Sequence, residues 1–362
     1  MRMNSEDQIE ISRKGHIAEE VLIVDGQPGC GKTMFSSLLG SFDRVEKMEY
    51  AFEMEFACRL ALLAKIEKDA AIALIRLLSD FTLYQNMMGR GTNFRFSDIS
   101  SVFNHSSPGK YIRRAFQEGD SAVLERVKSE KPILNLTTHY LSVSIDLLVE
   151  ALGKRLVFVE IVRHPLYMLV QQELNHHRLT DNVRNIEICF NHNKSDLPWY
   201  ANGWADEFQD ASDIDRAIFL MKRISNISRA RYNDLSDSIS SKWIRIPFEQ
   251  FVLDPAPSMR LLENTLATRS TYKTKKELKK QKVPRKMIAD GRRLEIYRYC
   301  GWTPPEKGAT EQAILRKKWQ YAVDKGASTN ALCTLEEMCV EYEAEYPFIK
   351  TNETKTNYML DY

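Results

Sequence analysis

The run Gly26-Gln27-Pro28-Gly29-Cys30-Gly31-Lys32-Thr33 fits the spacing G-x-x-x-x-G-K-[ST] at every position. The chemistry available at that spacing is phosphate binding. Glycines let successive backbone N–H groups turn inward around an anion. A helix N-terminus beyond them adds the positive end of its dipole, and Lys32 adds a point charge at the outer phosphates. The neighbouring sequence supplies both elements. Val21-Leu22-Ile23-Val24 is an apolar, β-branched strand signal before the loop, and Met34-Phe35-Ser36-Ser37-Leu38-Leu39 opens a helix after it. A phosphate-bearing ligand is therefore expected here.

A nucleoside triphosphatase or kinase would pair Thr33 with an acid at the end of a second apolar strand, both holding Mg²⁺. Val157-Phe158-Val159-Glu160 is the apolar run that ends on an acid, but Ile161-Val162 continues it. Glu160 then sits inside the strand, away from the carboxyl edge where open α/β sheets bind ligands. An ATP- or GTP-dependent phosphotransferase using Mg²⁺ stays as the alternative reading.

Three further segments follow strand-like runs. Thr137-Thr138-His139-Tyr140-Leu141 follows 132–136, and Ile161-Val162-Arg163-His164-Pro165 closes 156–162. Pro247-Phe248-Glu249-Gln250-Phe251, with Asp254-Pro255 beyond, closes 243–247. Together these segments resemble the sulfotransferase family, which uses 3′-phosphoadenosine-5′-phosphosulfate (PAPS) on a P-loop-type α/β fold, over roughly 20–290. Position by position, the family's 5′-phosphosulfate loop P-[KR]-S-G-T-T lies on Pro28, Gly29, Cys30, Gly31, Lys32 and Thr33, with Met34 behind it. Its T-H-L segment lies on Thr138-His139-Tyr140, which makes His139 the implied catalytic base. Its R-[DN]-P segment lies on Arg163-His164-Pro165, where the arginine grips the 3′-phosphate. Its mainly structural [YF]-E-[DN]-[LF] segment lies on Phe248-Glu249-Gln250-Phe251.

The chain departs from the pattern at defined places. The family's basic loop residue falls on Gly29, and Lys32 stands where a threonine is usual. A lysine before the histidine falls on Thr137, and a serine that binds the 3′-phosphate falls on Gln171. The family's R-K-G loop has a loose counterpart in Arg285-Lys286. The resemblance implies PAPS as co-substrate and sulfuryl transfer, without a metal, to a hydroxyl or amine of a small molecule or a glycan precursor. Lys32 would then act at the leaving phosphate. The substitutions at Gly29, Thr137 and Gln171 also allow a third reading, a nucleotide-binding protein that has lost catalysis.

Each residue has a plainer role beside the functional one. His139 would otherwise cap the following helix or simply pack. Arg163, ending a buried strand, needs an anion or a carboxylate, and Glu160 or Glu249 are its internal candidates. The basic stretch 273–293 reads equally as a solvated helical face. Arg90, Asn93 and Arg95 lie in a polar loop over 89–110 and are candidates for contact with an anionic or sugar acceptor. Trp199, Tyr200 and Trp204 suit either sugar stacking or a packed lid. His176, His177 and His192 fit no standard metal spacing and are expected on the surface.

The elements that must position these residues alternate as strands and helices over 20–270. The expected architecture is a three-layer P-loop NTPase-like α/β domain with a central parallel sheet. The expected boundaries are an extension over 1–19, the main domain over 20–300, and a helical C-terminal extension with a tail over 301–362. Helical spacing is read from Glu49 to Met88 and again over 306–346. The chain has 362 residues, 28% of them charged, and a net charge of +2. That near-balance gives no argument for a nucleic-acid partner. Six scattered cysteines suggest neither a metal site nor a disulfide scaffold, and no secretory or membrane-spanning signal is read, so a cytoplasmic enzyme is expected.

Overall fold

The computed structural model describes residues 9–179, 186–235 and 242–348. Among the described residues there are seven strands: β1 (Glu20–Asp25), β2 (Val45–Tyr50), β3 (Ile133–Thr137), β4 (Leu156–Val162), β5 (Cys189–His192), β6 (Ser195–Pro198) and β7 (Trp243–Pro247). Five of them form one sheet in the order β2-β3-β1-β4-β7, with every pairing parallel. β5 and β6 make a separate antiparallel hairpin. The loop strand β1 lies at the centre, so the turn after it opens at the carboxyl edge between β3 and β4.

Alternation along the strands explains the three layers. Leu22 and Val24 of β1 join Val157, Val159 and Ile246 in one core cluster, together with Phe35 and Leu38 of helix α1 (Lys32–Leu39). Val21 and Ile23 face the other way and pack with Leu134, Leu136 and Phe158. Helices α2 (Phe52–Leu62) and α3 (Lys68–Met88) cover that side through Met54, Ile75 and Leu83. The helices expected after 306 run Glu311–Asp324 and Thr329–Glu345. Their Leu315, Trp319, Leu335 and Met338 belong to the same core as α1.

The helical reading from Glu49 holds only after residue 51. Val45–Tyr50 is an edge strand whose polar residues hid it. Its Glu46 is fully buried and accepts hydrogen bonds from Arg114 Nη1 at 2.7 Å and Lys110 Nζ at 2.7 Å. Burial of a charge beside its partners gives no apolar alternation to read. Among the described residues, no helix is long and apolar enough to cross a membrane.

Candidate nucleotide site

The loop after β1 is shaped by close approaches that side chains would block. Gly26 has φ +149°, and a Cβ there would meet the Ile161 carbonyl oxygen at 2.6 Å; Gly31 has φ +96°, and its Cβ would sit 2.3 Å from the Phe248 ring. Glycine is needed at both points. Lys32 is buried, and its Nζ donates to the Gly26 and Gln27 carbonyl oxygens at 3.0 and 3.3 Å. The ammonium is thus folded across the loop. Gln172 Nε2 donates to the Pro28 carbonyl at 3.0 Å, Arg163 Nη1 donates to the Gly29 carbonyl at 2.7 Å, and Gln171 lies against Gly29. The Thr33 side chain hydrogen-bonds Tyr50. Cys30 is fully buried, and burial pushes its thiol up, so it is not a poised nucleophile.

The two carboxylates near the loop are committed to internal donors. Asp25 accepts from Thr138 Oγ1 at 2.8 Å, Leu141 N at 3.1 Å and Ser142 N at 2.9 Å. It therefore fixes the turn that carries His139. Glu160 is Asp25's register partner on β4, accepts from Arg245 Nε at 3.0 Å and is also bonded to Ser228. Burial pushes the Glu160 carboxyl up, against the pull of Arg245.

Arg163 follows β4 in a row of cations and rings. Its guanidinium lies 4.1 Å from the Phe248 ring centroid and 5.2 Å from that of Tyr167. Arg285 lies 5.4 Å from the Phe248 ring, and Lys318 Nζ lies 5.2 Å from the Tyr167 ring. The nearest carboxylate to Arg163 is Glu249, with Nε to Oε1 at 3.7 Å, rather than Glu160. The Nε groups of Arg163 and Arg285 are buried without a hydrogen-bond partner. Arg285 Nη1 donates to the Ile288 carbonyl at 2.9 Å, and its Nη2 lies 3.5 Å from Met34 Sδ, which ties it to α1. Burial and then the Arg163 charge push Arg285 down to about 10, and the same two causes push Lys318 down to about 8. Such shifts mark a site whose positive charge is under-compensated. Lys286, beside Arg285, is exposed. Lys318 gave no signal in the sequence, because it stands in the charged triplet Arg316-Lys317-Lys318 of an otherwise amphipathic helix.

His139 follows β3 on the turn fixed by Asp25. Its backbone N–H and its Nδ1 both meet Glu55 Oε1, at 2.8 and 3.0 Å. Glu55 Oε2 accepts from Arg59 Nη2 at 2.6 Å, and Arg59 Nη1 donates to Glu187 Oε1 at 2.6 Å. The imidazole stacks on Phe52, with 6.1 Å between centroids and 9° between planes, and its side chain is 25% exposed. A carboxylate at Nδ1 favours the tautomer with Nδ1–H, which leaves Nε2 the lone pair. Burial and then the Lys32 charge hold the imidazole below its usual pKa, against Glu55. A neutral, oriented histidine near a lysine is equipped to accept a proton. Glu55 and Phe52 were missed from sequence, since nothing in a helical pattern marks a residue that will meet a turn 84 positions later.

The other candidates take structural places. Trp199 and Trp204 are buried with Tyr140 and Phe208 in a satellite core, so their faces are not open for sugar stacking. His176 is buried between Tyr200 and Phe208 rather than on the surface. Neither of its ring nitrogens has a hydrogen-bond partner, and burial pushes it down to about 3. His177 pairs with Asp213 and His192 with Asp206. No group of three or more metal-ligating side chains occurs among the described residues. Arg90 and Arg95 are exposed, and the Asn93 amide is occupied by Asp98 and Ser100.

No family model matches the chain, and no curated protein matches it in sequence. Among solved structures it is similar to a sulfotransferase from Mycobacterium avium, at 14% identity and TM-score 0.41, covering 92% of this chain and 78% of that one. It is similar to the sulfotransferase domain of a Synechococcus olefin synthase, at 13% identity and TM-score 0.42, covering 93% and 98%. It is also similar to the sulfotransferase domain from the curacin biosynthetic pathway, at 10% identity and TM-score 0.42, covering 90% and 97%.

Proposed function

We propose that the chain transfers a sulfuryl group from PAPS to a hydroxyl or amine acceptor. The observation that carries this reading is the pairing of a phosphate loop with a row of under-compensated cations, Arg163 and Arg285, at the same sheet edge. A nucleotide with a phosphate at each end of its ribose needs both. The magnesium acid that a triphosphate would require has no counterpart at Asp25 or Glu160, which are both spent on internal donors.

In the transfer, the bond from sulfur to the bridging oxygen of the 5′-phosphate breaks, and a bond from sulfur to the acceptor oxygen or nitrogen forms. His139 Nε2 takes the acceptor's proton. Glu55 holds the imidazole in the tautomer that can do so and stabilises the imidazolium. Lys32 and the loop amides stabilise the charge that collects on the departing phosphate oxygen, and 3′,5′-ADP leaves with the electron pair. Arg163 and Arg285 hold the 3′-phosphate. Gln171, against Gly29, packs the loop. The acceptor is a small molecule or a carbohydrate.

The test is a transfer assay with radiolabelled PAPS over a panel of phenols, alcohols, amines and sugars, run beside γ-labelled ATP with Mg²⁺. Label passing from PAPS to an acceptor supports the proposal. Label passing only from ATP overturns it in favour of a phosphotransferase.

A further inference from the structure

The row of cations beyond β4 contains one member that comes from the C-terminal helices. Lys318 comes from the helix Glu311–Asp324, more than one hundred and fifty positions beyond Arg163. Its ammonium lies 5.2 Å from the ring of Tyr167, and Arg163 lies 5.2 Å from the same ring. Phe248 stands in the same relation to Arg163 and Arg285. The order is thus cation, ring, cation, ring, cation.

Two aromatic faces cannot neutralise three cations. A ring face stabilises a cation by much less than removing that charge from water costs. Among the described residues, only Arg163 has a carboxylate within ion-pair distance, and that contact is 3.7 Å long. Glu249 is already occupied by the Tyr342 hydroxyl and the His164 N–H. Glu311 is occupied by the Tyr167 hydroxyl and by Ile288 N–H at 2.6 Å. The cluster is short of negative charge, and burial and then the Arg163 charge depress Lys318 to about 8.

We infer that Lys318 is a third cation of the nucleotide site and is a specificity residue for the 3′-phosphate, acting from the C-terminal helix. A phosphate monoester dianion is the ligand group that this row fits, because its charge and its three free oxygens answer several donors at once. The inference rests on the proposed use of a 3′-phosphorylated nucleotide.

The experiment is calorimetric titration of the full chain, in EDTA, with two probes: 3′,5′-ADP and 5′-AMP, which differ only in the 3′-phosphate. Wild type is expected to prefer 3′,5′-ADP. Lys318→Met keeps the apolar stem and is expected to weaken 3′,5′-ADP ~10–100-fold, the worth of one charge-assisted contact, without changing 5′-AMP. Lys318→Arg should retain most of the preference, and the melting temperature without ligand should be close to wild type in both variants. If wild type shows the preference and Lys318→Met keeps it in full, this inference fails and the functional proposal stands. If wild type binds the two probes equally, both fail.

Discussion

One carboxylate oxygen of Glu55 meets His139 twice, at its backbone N–H and at Nδ1, at 2.8 and 3.0 Å. The double contact fixes both the turn after β3 and the ring orientation. It also predicts kinetics. His139→Ala should lower turnover ~10²–10⁴-fold and leave nucleotide affinity nearly intact, since the base acts on the acceptor. A folded His139→Ala enzyme of full activity would remove the base from the account.

If His139 is the base, Glu55 acts through it as a positioning residue, and the pH profile should report it. Burial and Lys32 hold His139 below 6.5 while Glu55 raises it. The acid limb of kcat should therefore fall below pH 6.5. In Glu55→Gln the limb should move lower still, with a smaller maximum, because the raising charge is gone. A limb that stays in place in Glu55→Gln would show that the carboxylate does not govern this imidazole.

Lys32 and Arg163 should separate in their effects. Lys32→Ala removes the cation folded over the loop and should weaken nucleotide binding and abolish transfer together. Arg163→Ala should act first on nucleotide affinity, by about 1.5–3 kcal/mol for a charged contact, and less on turnover of the saturated enzyme. Binding isotherms beside initial rates distinguish the two patterns.

Gly31→Ala should disable the loop more than its one carbon suggests. A Cβ there lies 2.3 Å from Phe248, whose ring carries Arg163 and Arg285. Ligand-induced stabilisation should be lost while the far-UV circular dichroism remains that of the wild type.

Acid stability should track Glu46. Burial pushes its carboxyl up, but Arg114 and Lys110 override this and hold it at about 2, below its usual 4.5. A depressed folded pKa means stabilisation that is complete above 4.5 and is lost as pH falls towards 2, in all about 3 kcal/mol. Urea denaturation of wild type should weaken over that window. Glu46→Gln should lower stability at pH 7, since it strands Arg114, and should flatten the acid dependence.

The legible parts of this chain are those where local chemistry and place in the fold coincide. The glycine loop, the apolar β1 and β4, and the histidine and arginine after β3 and β4 announce themselves by residue type and spacing. What stayed hidden depends on distant partners. β2 hides because Glu46 and Lys47 are buried and polar, and its pairing with Arg114 is set by a helix far along the chain. Glu55 and Lys318 look like ordinary polar positions on helices until the turn after β3 and the Pro165–Leu179 helix are beside them. His176 looks like a surface residue because an unpaired buried imidazole has no sequence signature.

Ligand-dependent thermal unfolding shows which nucleotide the loop and the cation row hold together. 3′,5′-ADP should stabilise the protein in EDTA, by about 2.7 kcal/mol at one hundred times its Kd, and ATP with Mg²⁺ should do so less. A shift given by ATP only with Mg²⁺, and none by 3′,5′-ADP, would contradict the proposed transfer from PAPS.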